Sequence, residues 1–131
     1  MNEYTHIVRG NKIVVRRRND RKARFVLGPK SIITQNHFFD LVESIKIGEN
    51  TVIGGIHSQF WTHSFDIDRN LHAGDIVIGA NCFIGSAVRF SPGSLIGNNC
   101  IVGIGSVIVG KFEQSNVLIA GCPARIIREL N

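Results

Sequence analysis

No run of apolar residues in the 131-residue chain approaches the length of a membrane span, and the opening MNEYTHIVRG lacks the apolar middle region of a signal peptide. A cytoplasmic protein without a membrane span is expected. Cysteine is scarce: Cys82, Cys100 and Cys122 are odd in number and show no C-x-x-C spacing, which argues against a disulfide framework and against a cysteine zinc site. They read as small buried apolar residues. Charged residues make up 19% of the chain, too few for disorder, and the fourteen glycines and three prolines follow no collagen period. One globular domain over residues 1–131 follows, large enough to bury a core and too short for a second catalytic module.

Acidic residues are in the minority, leaving a net charge of +5. Such a balance can signal nucleic acid, yet the positive charge is concentrated in RRRNDRKAR, residues 16–24, and near the C-terminus. The first cluster reads either as a solvated turn or as an electrostatic landing site for an anionic ligand, and no nucleic-acid partner is expected.

Helical periodicity and simple alternation are missing too. What stands in their place is a repeat of six. From Ile78 the chain divides into IGANCF, IGSAVR, FSPGSL, IGNNCI, VGIGSV and IVGKFE, with a large apolar residue first in each unit and Gly second in four of the six. The fifth place holds Cys82, Val88, Ser94, Cys100 and Ser106, and is mostly small. This pattern describes short strands joined by tight corners: the apolar residue fills an interior and Gly takes backbone angles costly for other residues. Three such sides make one turn of a triangular prism, so residues 18 apart stack: Ile78 over Ile96, Ile84 over Val102, Phe90 over Ile108, and Cys82 over Cys100. Stacked turns bury a continuous core that one turn cannot.

Upstream the frame persists through Leu27-Gly28, Ile33-Thr34 and Phe39-Asp40, then returns two residues shifted at Ile47-Gly48 and Ile53-Gly54. The distance from Ile53 to Ile78 is one residue more than four repeats and the text between has no six-residue character, so residues of about 55–75 are expected to leave the prism as a loop. IVRGNKIVV, residues 7–15, reads as an opening pair of short strands around Gly10-Asn11.

With VGIGSVIV followed by IAGCPARIIREL, the repeat resembles the hexapeptide-repeat acyltransferases, and within them the sugar O-acetyltransferases. The resemblance covers residues from about 27 to the end. It implies an all-β chain folded as a left-handed parallel β-helix, with one excursion loop and a short C-terminal helix or tail. The handedness comes from the family, since periodicity does not give it. It also implies transfer of an acetyl group from acetyl-CoA to a sugar or glycan hydroxyl, with sites completed between the copies of a homotrimer and no metal required.

The family places its catalytic histidine in a "T-H" or "G-H" pair where the excursion begins, and Thr62-His63 matches, followed at the right distance by IGANCFIG. The resemblance therefore makes His63 the general base, a neutral imidazole with an ordinary pKa of about 6.5 that takes the proton of the attacking acceptor. Asp66 and Asp68 are the nearest acids in sequence and are expected to orient it. Trp61, Phe60 and Phe83 are expected to line the acceptor pocket, Phe83 standing where the family often has Trp, and His57 is a further acceptor contact. On the donor side the resemblance gives main-chain bonds to coenzyme A from Ser86 and Ile104, with Gly105 beside them, and phosphate contacts from Arg125 and Arg128. Pro123 would pack near the adenine. Lys111 is one place removed from the family's lysine, which weakens its claim to a phosphate.

Three other readings stand beside this one. N-acetylation of an amino sugar needs the same base and donor site. A non-catalytic scaffold would bind an anionic partner through the Arg-rich segment. A gamma-class carbonic anhydrase, which shares the fold, needs zinc-binding histidines inside the regular repeats, and residues 76–110 contain none.

Overall fold

The computed structural model describes residues 4–15 and 22–131, so the basic stretch at 16–21 lies outside the described residues. The strands wind round three faces in regular order. The first face carries His6–Ile7, Ile32–Ile33, Val52–Ile53, Phe83–Ile84, Ile101–Val102 and Val117–Gly121. The second carries Lys12–Val15, Phe38–Leu41, Gln59–Trp61, Arg89–Phe90 and Val107–Ile108. The third carries Phe25–Leu27, Ile45–Ile47, Ile76–Ile78, Leu95–Ile96 and Lys111–Phe112. Five turns result, every strand pairing in parallel with the one above and below on its own face.

The register is the one the repeat of six demands. Ile78 pairs with Ile96, Ile84 with Val102 and Phe90 with Ile108. Each inward residue is buried, and together they form one continuous core. Along the second face the interior is aromatic: Phe39, Phe60 and Phe90 stack with ring centroids 4.6 Å apart and nearly parallel planes. Burying each such side chain contributes about 1.5–3 kcal/mol, and each aromatic pair adds about 0.5–1.5 kcal/mol. Cys82 and Cys100 occupy one buried corner in successive turns, where burial pushes the Cys82 thiol up to about 11. There they serve as small apolar residues, whereas Cys122, expected to be buried like them, is exposed.

The glycines after the aliphatic residues have a different cause from the one their sequence suggests. Gly28, Gly48, Gly79 and Gly97 do not take left-handed angles; a Cβ on any of them would stand within 2.8 Å of the backbone of the following turn. Space, not torsion, selects glycine in this column. The left-handed residues at the same corner are instead asparagines in all turns but the first: Asn50, Asn81, Asn99 and Asn116, with φ between 51° and 61°, after Lys30 at 62°. Asn is among the few side chains that tolerate this region cheaply.

Three expectations need correction. The excursion is shorter than 55–75, because Gln59–Trp61 belongs to the second face and Phe60 sits inside the prism; one extra residue is absorbed at the corner where Gly55 and His57 have positive φ. What leaves the prism is a hairpin, His63–Phe65 paired antiparallel with Leu71–Ala73. The last turn is tightened at Gly110, so Phe112 rather than residue 114 lies over Ile96. Finally, the chain ends in a strand and not a helix: Ala124–Glu129 returns antiparallel along Val117–Gly121. The opening segment gives two strands, each pairing with the next turn rather than with the other.

Candidate active site

Thr62 is the hinge on which the excursion leaves. Its side chain is fully buried, and its hydroxyl accepts the backbone N–H groups of Val42 and Glu43, both at 3.0 Å, while donating to the Asp40 carbonyl at 2.8 Å. These bonds fix where His63 begins. The His63 ring is half-buried against the prism, and its Nδ1 lies 2.6 Å from Oδ2 of Asp40, a carboxylate with no solvent exposure. An ionised carboxylate can only accept, so Nδ1 carries the hydrogen and Nε2 is left as the basic nitrogen. This is the geometry in which a buried acid holds an imidazole in one tautomer and stabilises the charge that forms on it.

The acidic partner of His63 is thus Asp40, not Asp66 or Asp68. Asp66 is engaged in the hairpin turn, where its Oδ1 accepts the N–H groups of Asp68 and Asn70 and its Oδ2 lies 3.0 Å from Nε2 of His72. The His72 contact, with the Asn70 amide, holds the Asp66 carboxyl down at about 2. Asp68 contributes its backbone to that turn. Sequence proximity favoured the two loop acids; the parallel register favours Asp40, which pairs with Trp61 across the second face. An acid inside the apolar run FFDLV was the available signal.

His63 opens onto a cleft of about 470 Å³ lined by Trp61, Ser64, Phe65, Arg89, Pro92 and Val107, among others. Trp61 packs its indole on Phe38 at 4.9 Å and donates Nε1–H to Gln59 Oε1 at 3.0 Å, leaving its ring partly exposed to the cleft. Phe60, expected as a pocket wall, has no exposure and belongs to the core stack. Phe83 projects from the first face, over a groove it shares with Asn50, Asn81 and Asn99, and does not line the His63 cleft of its own chain. His57 sits at the corner before Gln59, at the other end of that strand from His63. His37 is buried and bonded on both sides: its Nδ1 accepts the Ser58 N–H at 3.0 Å and its Nε2 meets Thr34 Oγ1 at 2.9 Å. Burial, with His57 nearby, lowers its pKa. Among the described residues no three His, Cys, Asp or Glu side chains gather as a metal site.

The residues assigned to the donor lie elsewhere. Ser86 and Ile104 occupy one corner in successive turns, before the strands Arg89–Phe90 and Val107–Ile108, whereas His63 follows the end of the parallel strand Gln59–Trp61. Within one chain the two sets therefore stand at opposite ends of the second face. Gly105 donates its N–H to the Ser86 carbonyl, and the Ser86 hydroxyl is tied to the Ile56 backbone. Ile104 is exposed. Lys111 lies at the edge of the third face beside Gly93 and Leu95. Pro123 is in the terminal turn, and Arg125 and Arg128 lie on the returning strand opposite Ala120 and Leu118. Residues three apart in a regular strand face opposite ways. The register shift between Leu118 and Ile119 changes that, and sets both arginines on one face.

No protein-family model matches the chain. In sequence it is similar to the galactoside O-acetyltransferase of Escherichia coli K12, at 34% identity over 93 residues, which are 67% of this chain and 45% of that protein. The chain spans about half the length of the sequence relatives it matches. In structure it is similar to a maltose O-acetyltransferase from Clostridium difficile 630, with a TM-score of 0.79 and 27% identity over 96% of this chain and 67% of that one. It is also similar to a hexapeptide-repeat acetyltransferase of Vibrio cholerae solved with acetyl coenzyme A, with a TM-score of 0.76 and 27% identity over 98% and 73% of the two chains. The fold they share with it is the left-handed parallel β-helix.

Proposed function

Because the chain belongs, in fold and in relatives, with the hexapeptide-repeat acetyltransferases, we propose that it transfers an acetyl group from acetyl-CoA to a sugar hydroxyl. The observation that carries this reading is the His63–Asp40 pair at the mouth of a cleft walled by an indole. Nε2 of His63 takes the proton of the acceptor hydroxyl as its oxygen attacks the thioester carbonyl. The tetrahedral intermediate collapses with loss of the thiolate of coenzyme A, which recovers the proton from the imidazolium. Asp40 keeps the ring in the tautomer this requires and offsets its transient charge. The face of Trp61 gives a sugar ring an apolar platform. No cysteine is placed beside His63 to form an acyl-enzyme, so transfer is direct.

The donor arm runs along the corner of Ser86, Ile104 and Gly105, whose main-chain groups bind it, and one N–H there receives the developing oxyanion. Arg125 and Arg128, on one face of the returning strand, take the phosphates, with Pro123 beside the adenine and Lys111 as a secondary cation. That corner and His63 stand at opposite ends of one face, which supports a site shared between adjacent copies. A repeated head-to-tail contact of this kind closes into a ring, and a homotrimer in the cytoplasm is the assembly proposed. Phe83 and His57 would reach the acceptor only from a neighbouring copy.

The test is thioester consumption against a panel of sugar acceptors, hydroxyl and amine. His63→Ala should lower kcat by about 10²–10⁴-fold in a protein that still folds and binds coenzyme A. Undiminished turnover in that variant would end the reading, and a faster reaction with amino sugars would move it to N-acetylation.

A further inference from the structure

Arg89 has no role in the reading above, yet it lines the same cleft as His63 and Trp61. It points outward from the second face, since its neighbour Phe90 points into the core. Its cross-strand partners in the ladder are Gln59 on one side and Val107 on the other. Neither is acidic. The acid beside His63 and the acid of the hairpin are committed elsewhere, Asp40 to His63 and Asp66 to the hairpin turn. Among the described residues the guanidinium has no hydrogen bond or ion pair. Besides His63, the rest of the lining is Trp61, Phe65, Phe90, Pro92 and Val107 with two serines, so Arg89 is the one permanent charge in a largely apolar cleft.

Resting on the acetyl-transfer reading of this cleft, we propose that Arg89 selects an anionic acceptor: a sugar bearing a carboxylate or a phosphate close to the hydroxyl that is acetylated. A guanidinium offers a planar fork of donors that matches an oxyanion with two parallel bonds, and the apolar surroundings strengthen such a pair while penalising a site left empty of anion. Arg89 stands opposite Gln59, so Trp61, two residues along the adjacent strand and on the same outward side, is its diagonal neighbour at about 7–8 Å, within reach of an anionic substituent on a ring stacked against the indole. The donor is a poor competitor for this contact. Its thioester must lie at His63, and its phosphates then stand a whole pantetheine arm away. Nothing in the sequence marked Arg89; only the register that sets it diagonally across from Trp61 does.

The experiment measures kcat/KM for a methyl galactoside, the matching galacturonoside and the matching sugar 6-phosphate, in the wild type, Arg89→Gln, Arg89→Lys and His63→Asn. Arg89 should give the better of the two anionic sugars an advantage of about tenfold to a hundredfold over the neutral one, and Arg89→Gln should bring that ratio near unity, with Arg89→Lys between. Which anion gains more distinguishes carboxylate from phosphate. Equilibrium binding of the same sugars without donor, by calorimetry, reads the contact whether or not transfer occurs. His63→Asn should depress all rates together and leave the ratio of affinities intact, so loss of the catalytic reading and loss of this one have different signatures. Equal affinity of the wild type for neutral and anionic sugars overturns the proposal, as does an Arg89→Gln variant whose defect appears only in the KM for acetyl-CoA.

Discussion

His63 lies against an acid 23 positions earlier in the chain, and the proposed base depends on the fold that brings the two together. Replacing Asp40 by Asn keeps the shape and removes the charge, leaving an amide that can donate to Nδ1 and so favour the wrong tautomer. We expect a fall in kcat of at least about 10²-fold with little change in the KM for acetyl-CoA, read from initial rates over a range of both substrates. His37 has the opposite task, because it must stay neutral. Its Nδ1 accepts a backbone N–H, so protonation would set two donors against each other in a buried corner. The folded state therefore resists a proton that the unfolded chain accepts from its ordinary 6.5 downward. Stability is fully present above that value and declines as the pH falls below it. Urea midpoints between pH 8 and 5 should show this slope, and His37→Gln should flatten it. At this scale the sequence singled out His63, through Thr62-His63, as the base proposed above, and hid the acid that lies against it: an acid's neighbours in the chain are not its neighbours across a parallel sheet.

Strands of two or three residues hold by stacking rather than by length. Phe60 is the middle ring of the aromatic column, and Phe60→Ala should cost about 3–5 kcal/mol in denaturant unfolding, with the empty space flanked by Phe39 and Phe90. Gly79 lies in the close-contact column, where a methyl group would meet the Gly97 backbone at 2.8 Å. Gly79→Ala should therefore destabilise by about 1–3 kcal/mol, against a small gain if the glycine served only chain flexibility. The same denaturant curves decide between the two. Regular elements were readable from position 78 to 108 because one interior residue per side repeats without interruption there. Gln59–Trp61 was not, since a single extra corner residue breaks the count while Phe60 still reaches its place. The terminal strand was obscured for a similar reason: arginines three apart imitate a helical face, and a bulge gives a strand the same spacing.

At the scale of the whole molecule, the prism is a support that presents one edge with His63 and another with Ser86 and Ile104. The repeat of six announced the prism, and could not announce which edges carry chemistry, because corners look alike in the text. The separation of those edges has a genetic consequence. If each reaction centre draws its base from one copy and its donor groove from the next, two inactive variants with different lesions, His63→Ala and a bulky replacement of Gly105, should complement each other. Co-refolded in equal amounts, they would assemble intact centres at random and recover roughly a quarter of native turnover, whereas each alone recovers none.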